Sequence, residues 1–329
     1  MRRSGRIPIL VLALFLAAWS SGGCGGGPSL DPQDRVPGTE SVIPAADCLS
    51  LAPDGRWLVF VEDTDRVSAN GEQPDSRWPR YRPVSLDLTT GQRTVHHCPA
   101  DLEFGLPHPP ALSNRAVAES FKPYAWRDGR FYGLNVVDSR HRCLVLDPGQ
   151  SDLAVDARPE LRHLQSSDQM SPDRMARRLE QLEEKWNRRV PYRQDLFGVT
   201  LPLDRDGPAP FFYFSDYDGK VFRADADGDT EIASIEDDKR GVSRLRISPD
   251  RRFLACITRE DKSFLIFVGG TSRLVVLDLE SGDRRTLLAA PAIDALVWAP
   301  DGETLYVSAQ DDREYGIYRL RMNEFFARD

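Results

Sequence analysis

The chain has 329 residues, with 43 Lys+Arg against 51 Asp+Glu, a net charge of −8 and a hydrophobic content of 40%. That is enough apolar mass for a full core without disulfide staples and too much for a disordered chain, while 24 Gly and 24 Pro exclude a collagen-like repeat. The acidic balance argues against nucleic acid as a partner, because phosphate binding needs clustered positive charge.

Residues 1–23 read as an export signal. Arg2, Arg3 and Arg6 form a basic head, and an apolar run from Ile7 to Trp19 follows, interrupted only by Pro8. About a dozen apolar residues suit a signal-peptide core and fall short of the roughly 20 that a spanning helix needs. Ser20, Ser21, Gly22 and Gly23 then lead to Cys24. The arrangement resembles a bacterial lipoprotein signal, which implies lipidation at Cys24 and a lipid-anchored protein on the extracytoplasmic side of the cell envelope. Ser21 departs from the Leu usual at that position. A plain secretory signal cut after Ser20, giving a soluble exported protein, is the alternative. Residues 24–45, rich in Gly, Pro, Asp and Ser without a hydrophobic period, read as a flexible tether. The signal takes three arginines with it, so the mature chain is more acidic and no polybasic second anchor is expected.

Four cysteines lie beyond Cys24: Cys48, Cys98, Cys143 and Cys256. Export permits disulfides, and four cysteines allow three pairings among which sequence does not choose. Cys143 and Cys256 sit in apolar strand-like runs, where a buried free thiol is the alternative. There is no CxxC, so neither a redox motif nor a zinc knuckle is indicated.

Residues 46–329 carry an internal repeat. Ala52-Pro53-Asp54-Gly55, Ser248-Pro249-Asp250-Arg251 and Ala299-Pro300-Asp301-Gly302 each precede an apolar run, and Trp126-Arg127-Asp128-Gly129 is a degenerate copy. Pro presets φ, Asp bonds its own backbone and Gly supplies positive φ, so each is a tight turn. A second half-repeat pairs Leu86-Asp87-Leu88-Thr89-Thr90-Gly91 with Leu277-Asp278-Leu279-Glu280-Ser281-Gly282, and Leu144–Gly149 is a shorter relative. A further unit shows only as hairpins around Asp218-Gly219 and Asp227-Gly228. In the run Trp57–Val61 both alternating faces are apolar, so the strand must be covered on both sides. Stacked four-stranded blades supply that cover, and the 51 positions from Asp250 to Asp301 fit one blade. The repeats resemble the Pro-Asp-Gly blades of TolB-like, WD40-like and prolyl-oligopeptidase-type β-propellers. The expected fold is an all-β propeller of five or six four-stranded antiparallel blades, closed by pairing the two ends of the chain.

One helical insertion, at about 159–190, interrupts the β pattern. Ser171-Pro172-Asp173 is a helix start, and Met175, Leu179, Leu182 and Trp186 recur at spacings of 4, 3 and 4 before Arg188-Arg189 and Pro191. The helix is expected to cover a blade edge or a mouth of the propeller; a partner-docking arm is the alternative.

Candidate chemistry is sparse. No GxSxG elbow, P-loop, HExxH or Rossmann fingerprint occurs in 46–329, and the hydrolase domain of the prolyl-oligopeptidase type has no counterpart after the last repeat. Asp225, Asp227, Asp229 and Glu231 present alternate carboxylates, but Gly228 precedes Asp229 where a calcium loop places its Gly later, so an Asp-Gly hairpin with solvated acids is expected. Of His96, His97 and Cys98, at most His96 and Cys98 share a strand face, too few for a metal. Asp54, Asp128, Asp250 and Asp301 occupy matching places in the repeats and read as structural. No catalytic, metal or cofactor-binding residue is therefore assigned. The expected function is a non-catalytic, envelope-tethered propeller that binds a protein partner or envelope ligand and reaches the membrane only through its N-terminal lipid. Two candidate contacts are the Asn70–Pro83 loop, with Trp78, Arg80 and Tyr81, and the helix at 171–189. The alternative is a propeller hydrolase or lyase acting on carbohydrate or peptide at the central channel.

Overall fold

The computed structural model describes residues 29–39, 42, 49–63, 81–96, 121–137, 140–152, 154–156, 172–190, 199–200, 203–204, 207–208, 210–216, 218–235, 242–264, 267–311 and 315–326. The signal, Cys24, Cys48, Cys98, His97, Trp78, Arg80 and the first part of the helical insertion lie outside these residues.

Antiparallel sheets follow one another along the chain. Blade one holds β1 (Ser50–Leu51), β2 (Trp57–Asp63), β3 (Tyr81–Asp87) and β4 (Arg93–Val95). Blade two holds β5 (Phe121–Arg127), β6 (Arg130–Val137), β7 (Arg140–Leu146) and β8 (Ala154–Asp156), and helix α1 (Pro172–Trp186) follows it. Blade three begins with β9 (Val199–Thr200) and, after a small hairpin of β10 (Leu203–Asp204) and β11 (Gly207–Pro208), continues with β12 (Phe212–Ser215), β13 (Lys220–Ala224) and β14 (Asp229–Ser234). Blade four is β15 (Val242–Ile247), β16 (Phe253–Phe264), β17 (Phe267–Asp278) and β18 (Arg284–Ala290). Blade five has β19 (Ala292–Trp298), β20 (Thr304–Gln310) and β21 (Tyr315–Arg321), with the short helix α2 (Met322–Phe325) after it. The fold is a β-propeller, and among the described residues it has five blades.

Strands apolar on both faces pack both faces. Leu58, Val59, Phe60 and Val61 in β2 are all buried. One continuous core joins blades four and five through Phe253, Leu274, Leu296, Trp298 and Leu305. A second joins five and one through Val297, Tyr306, Leu58 and Phe60, and a third joins three and four through Tyr213, Val221, Leu254 and Val275. Blade two meets blade one through Trp126, whose indole N–H donates to Ser50 Oγ at 3.0 Å, and through Ser85 Oγ, which donates to the Pro148 carbonyl at 2.9 Å.

Blade five receives its fourth strand from the start of the chain. Arg35 bridges Tyr318 antiparallel, and Val36 N–H donates to the Ile317 carbonyl at 2.8 Å. Ile317 N–H in turn donates to Thr39 Oγ1 at 3.0 Å, and that hydroxyl donates to the Val36 carbonyl at 2.7 Å. Val42 continues across to β2, bridging Glu62. The two ends therefore close the propeller, as the repeat implied. The reading of 24–45 as a flexible tether needs amending over 29–39 and Val42, which belong to the folded body. Among its described residues this segment buries Val36, Thr39 and Val42, and two valines six positions apart make no hydrophobic period.

Helix α1 lies on the face of blade three opposite blade four. Leu179 and Leu182 are buried against Val199, Phe212, Phe214 and Ala224, and Trp186 stacks on Phe212 at 5.7 Å between ring centroids. Its apolar stripe is spent on the propeller itself. The sequence placed this helix over a blade edge or a mouth of the propeller; it covers a blade face instead, because its apolar stripe meets Phe212 and Phe214.

Thr39→Val should remove the acceptor of the buried Ile317 N–H while keeping volume. The expected loss is about 1–3 kcal/mol in urea unfolding of the full chain, with Thr39→Ser losing much less. Equal midpoints for Thr39→Val and the parent chain would show that this hydroxyl does not hold the closure.

Candidate interaction face

The propeller has two unlike ends. At one, here the base, every connection between neighbouring strands of blades one, two, four and five is a tight turn. Asp54, Asp250 and Asp301 each accept the backbone N–H two residues on, at 2.9, 3.1 and 2.9 Å. In the degenerate copy Asp128 and Gly129 both take positive φ, 50° and 72°, closing a two-residue hairpin between Arg127 and Arg130. These turns also touch one another. A Cβ on Gly302 would stand 2.7 Å from the Asp250 carboxyl carbon of the neighbouring blade, so only glycine fits, and its φ of +74° reinforces the choice.

Three of the blades also carry an ion pair at the base. Arg56 donates to Asp87 from Nε at 3.0 Å and from its terminal nitrogen at 2.7 Å, and Thr89 N–H adds a bond at 2.8 Å. Blade four repeats this with Arg252, Asp278 and Glu280 N–H at 3.1, 2.8 and 2.9 Å. Blade two keeps a looser version, Arg130 to Asp147 at 3.7 Å. The Arg56 guanidinium, aided by the Thr89 and Thr90 amides, outweighs burial and holds the Asp87 carboxyl at about 2. Burial alone would raise Asp278, but its bonds from Arg252 and the two backbone amides leave it below the ordinary range. The four turn aspartates and these two pairs are thus occupied by the fold.

The other weighed residues are occupied as well. His96 is buried, and its Nε2 lies 2.8 Å from Ser85 Oγ. Because the Ser85 hydroxyl proton goes to the Pro148 carbonyl, the network assigns Nε2 as the donor to Ser85. In this arrangement the imidazole donates to the serine rather than taking its proton. In the acidic hairpin Arg223 lies 3.6 Å from Asp225, and the cation with the most bonds is Arg188, which follows α1. It donates to the Asp225 carbonyl at 3.0 and 2.6 Å, to the Gly228 carbonyl at 2.9 Å and to Asp229 Oδ1 at 2.7 Å. Lys220 reaches Glu231 at 3.1 Å. Among the described residues no group of three His, Cys, Asp or Glu could hold a metal ion. Cys256 is a free, fully buried thiol on the Val275 carbonyl at 3.4 Å, which removes it from any disulfide; burial pushes its pKa up to about 12. Cys143 stands in β7 opposite Leu134 and Asp156.

The opposite end, the crown, carries what the base does not. The hairpins between β2 and β3, β6 and β7, β12 and β13, β16 and β17, and β20 and β21 all close there. Strands β2, β4 and β8 run toward the crown, and the stretches that follow in sequence, 64–80, 97–120 and 157–171, lie outside the described residues. The chain enters at the base instead. A 3-10 turn at Pro32–Asp34, capped by Asp31, sits beside Arg319, Arg321 and Glu324 at the far end of β21. Of the Asn70–Pro83 loop picked out from its residue types, Tyr81–Pro83 are the first residues of β3, paired with Val61–Asp63, and Trp78 and Arg80 lie outside the described residues. The polarity of the two ends follows from strand direction, which no single residue signals.

No family model and no curated protein matches the chain. Solved structures similar to it include the AtxE2 isopeptidase with bound astexin, 12% identical with a TM-score of 0.44, covering 90% of this chain and 53% of that one. TolB from Acinetobacter baumannii is 13% identical with a TM-score of 0.28, covering 85% and 55%. An oligogalacturonate lyase from Vibrio parahaemolyticus is 11% identical with a TM-score of 0.28, covering 58% and 45%. The chain spans about half the length of these structures. At such identities the likeness is one of fold and not of activity.

Two measurements check the electrostatics. An aspartate held below its unfolded value stabilises the fold above that value, so the contribution of Asp87 should fade as pH drops from about 4 toward 2. Urea midpoints of the parent chain should fall across that window more steeply than those of Asp87→Asn; parallel profiles would contradict the pairing. Cys256 should react with a maleimide at least about a hundredfold more slowly in the native chain than in urea, because thiolate and access are both lacking. Comparable rates would place the thiol at the surface.

Proposed function

We propose that the protein is an exported, non-catalytic propeller of the bacterial cell envelope, lipidated at Cys24, that binds a protein partner through its crown. The observation that carries this reading is the contrast between the two ends. The base is a layer of tight turns, and the N-terminal segment enters the fold there. Pro32 is eight positions after Cys24, a reach of at most about 28 Å at roughly 3.5 Å per position. A lipid on Cys24 would keep the base near the membrane and turn the crown, with its long connections, toward the aqueous compartment. Rigid scaffolds commonly carry recognition on such connections.

The residues with the most suggestive chemistry support binding over catalysis. Ser85 and His96 are committed to a structural chain of hydrogen bonds, and the acids at 225–231 are met by Arg188 and Lys220. Helix α1 contributes by completing blade three, since its apolar stripe is already buried. Its outward residues, including Arg177, Glu180 and Glu184, are exposed and polar.

The test is quantitative co-purification from cross-linked envelopes, using the full chain and versions with a four-residue Gly-Ser insertion. Insertions after Asp218 or Asp311 alter the crown; insertions after Gly91 or Ser281 alter the base. A protein partner recovered with the parent chain should drop at least tenfold with crown insertions and persist with base insertions. The reverse pattern overturns the crown assignment. No enrichment with any version overturns protein binding and returns the question to a hydrolase or lyase of carbohydrate or peptide. Cys24→Ala should release the chain from the membrane fraction; retention would contradict the lipid anchor.

A further inference from the structure

The closing strand meets the body at a few points whose arrangement gives it a direction. Arg35 bridges Tyr318, Val36 N–H donates to the Ile317 carbonyl, and Thr39 Oγ1 accepts the Ile317 N–H at 3.0 Å. Farther on, Val42 bridges Glu62 in blade one. β21 runs from the crown to the base, so its antiparallel neighbour runs from the base to the crown. Residues 29–34 therefore enter at the same end of the blade at which β21 finishes, with Asp34 beside Arg319, Arg321 and Glu324.

Arg35 adds an interlock along the same axis. Its side chain lies across Gly316, where an added Cβ would stand 2.7 Å from the Arg35 Nε. The guanidinium reaches the Tyr315 carbonyl at 3.4 Å and Asp311 Oδ2 at 3.6 Å. Tyr318 donates to the same carboxylate oxygen at 3.4 Å. Gly316, Tyr315 and Asp311 all lie crownward of Tyr318, the residue that Arg35 bridges. The Arg35 backbone thus stands on the base side of the contacts that its own side chain makes. Ladder bonds between antiparallel strands stand perpendicular to the strands. A pull along the strand loads these bonds and the Arg35 contacts together, whereas a pull across it from one end breaks them in turn.

We infer that the closing strand is a directional clasp. It holds when the N-terminal segment is drawn away from the crown, and it peels when that segment is drawn away from the end of β21. The inference rests on the orientation proposed above, with a lipid at Cys24 and a partner on the crown. In that arrangement tension between membrane and partner enters through residues 29–34 and runs along the strand, so the ring stays closed under load.

Optical-tweezer unfolding of the mature chain tests it. DNA handles are attached through azidophenylalanine at Ser29 and at one of two second points, Asp218 in the crown hairpin of blade three or Glu324 after β21, all three exposed. The first rupture should need at least about twice the force between Ser29 and Asp218 as between Ser29 and Glu324, because bonds loaded together share the pull. Thr39→Val and Arg35→Gln should each lower the Ser29–Asp218 force and narrow that ratio. Equal forces in the two geometries, or a Ser29–Asp218 force that neither substitution changes, overturn the clasp. Release of the Cys24→Ala chain from membranes together with equal forces would leave the anchor standing and the clasp refuted. Retention of that chain together with the twofold ratio would refute the anchor and leave the clasp standing.

Discussion

The architecture depends on one small junction, in which Val36 and Thr39 bind the two sides of Ile317. A propeller is a ring of stacked sheets, and the blade in which the chain starts and ends must be sewn together from both ends. Here β19, β20 and β21 come from the end of the chain and the fourth strand from its beginning. The Thr39 hydroxyl stands in for a strand carbonyl, taking the Ile317 N–H that would otherwise be buried without a partner. Once blade five is complete, its free face meets blade one through Ala295, Val297 and Ile317, and the ring order follows.

That same junction gives the molecule its polarity. Because the closing strand runs antiparallel to β21, the chain enters beside Arg319 and Arg321, at the end where the Pro-Asp-Gly turns interlock. The base is crowded with structural devices: Asp caps, the Arg56–Asp87 and Arg252–Asp278 pairs, and the close approach of Asp250 to Gly302. Blade five carries the same register with other residues, Glu303 and Arg321 standing where blades one and four have Arg and Asp. The backbone bond is retained, Met322 N–H to the Glu303 carbonyl matching Leu88 N–H to Arg56. Charge can be exchanged in these turns; the turn geometry is constant.

Much of this was legible in the residues. Trp57–Val61 announced a strand covered on both sides, and the 51 positions from Asp250 to Asp301 matched one blade while leaving five or six in all. The Met175, Leu179, Leu182 and Trp186 spacing located α1. What was not legible depended on partners distant in sequence. Val36 and Val42 are two apolar residues in a polar segment, and nothing local marks them as a closing strand. Arg188 could be read as a helix terminus, but its targets at Asp225–Asp229 lie some 40 residues on. The Ser85–His96 contact joins two strands with polar residues that the local pattern does not pair. The long hairpin of blade four was hidden because its charges at 259–262 break the apolar pattern that marks strands elsewhere.

The most direct test of this account is amide hydrogen exchange on the mature chain, compared with a version that begins at residue 46. Closure by the N-terminal segment predicts that the shorter chain loses protection along β21 and β20 and at the blade-one face, while the middle of β16 and β17 stays protected. The Ile317 amide, which donates to Thr39, should show the largest change. Unchanged exchange at Ile317 and through β21 would contradict the account, because it would mean that the propeller closes without its first strand.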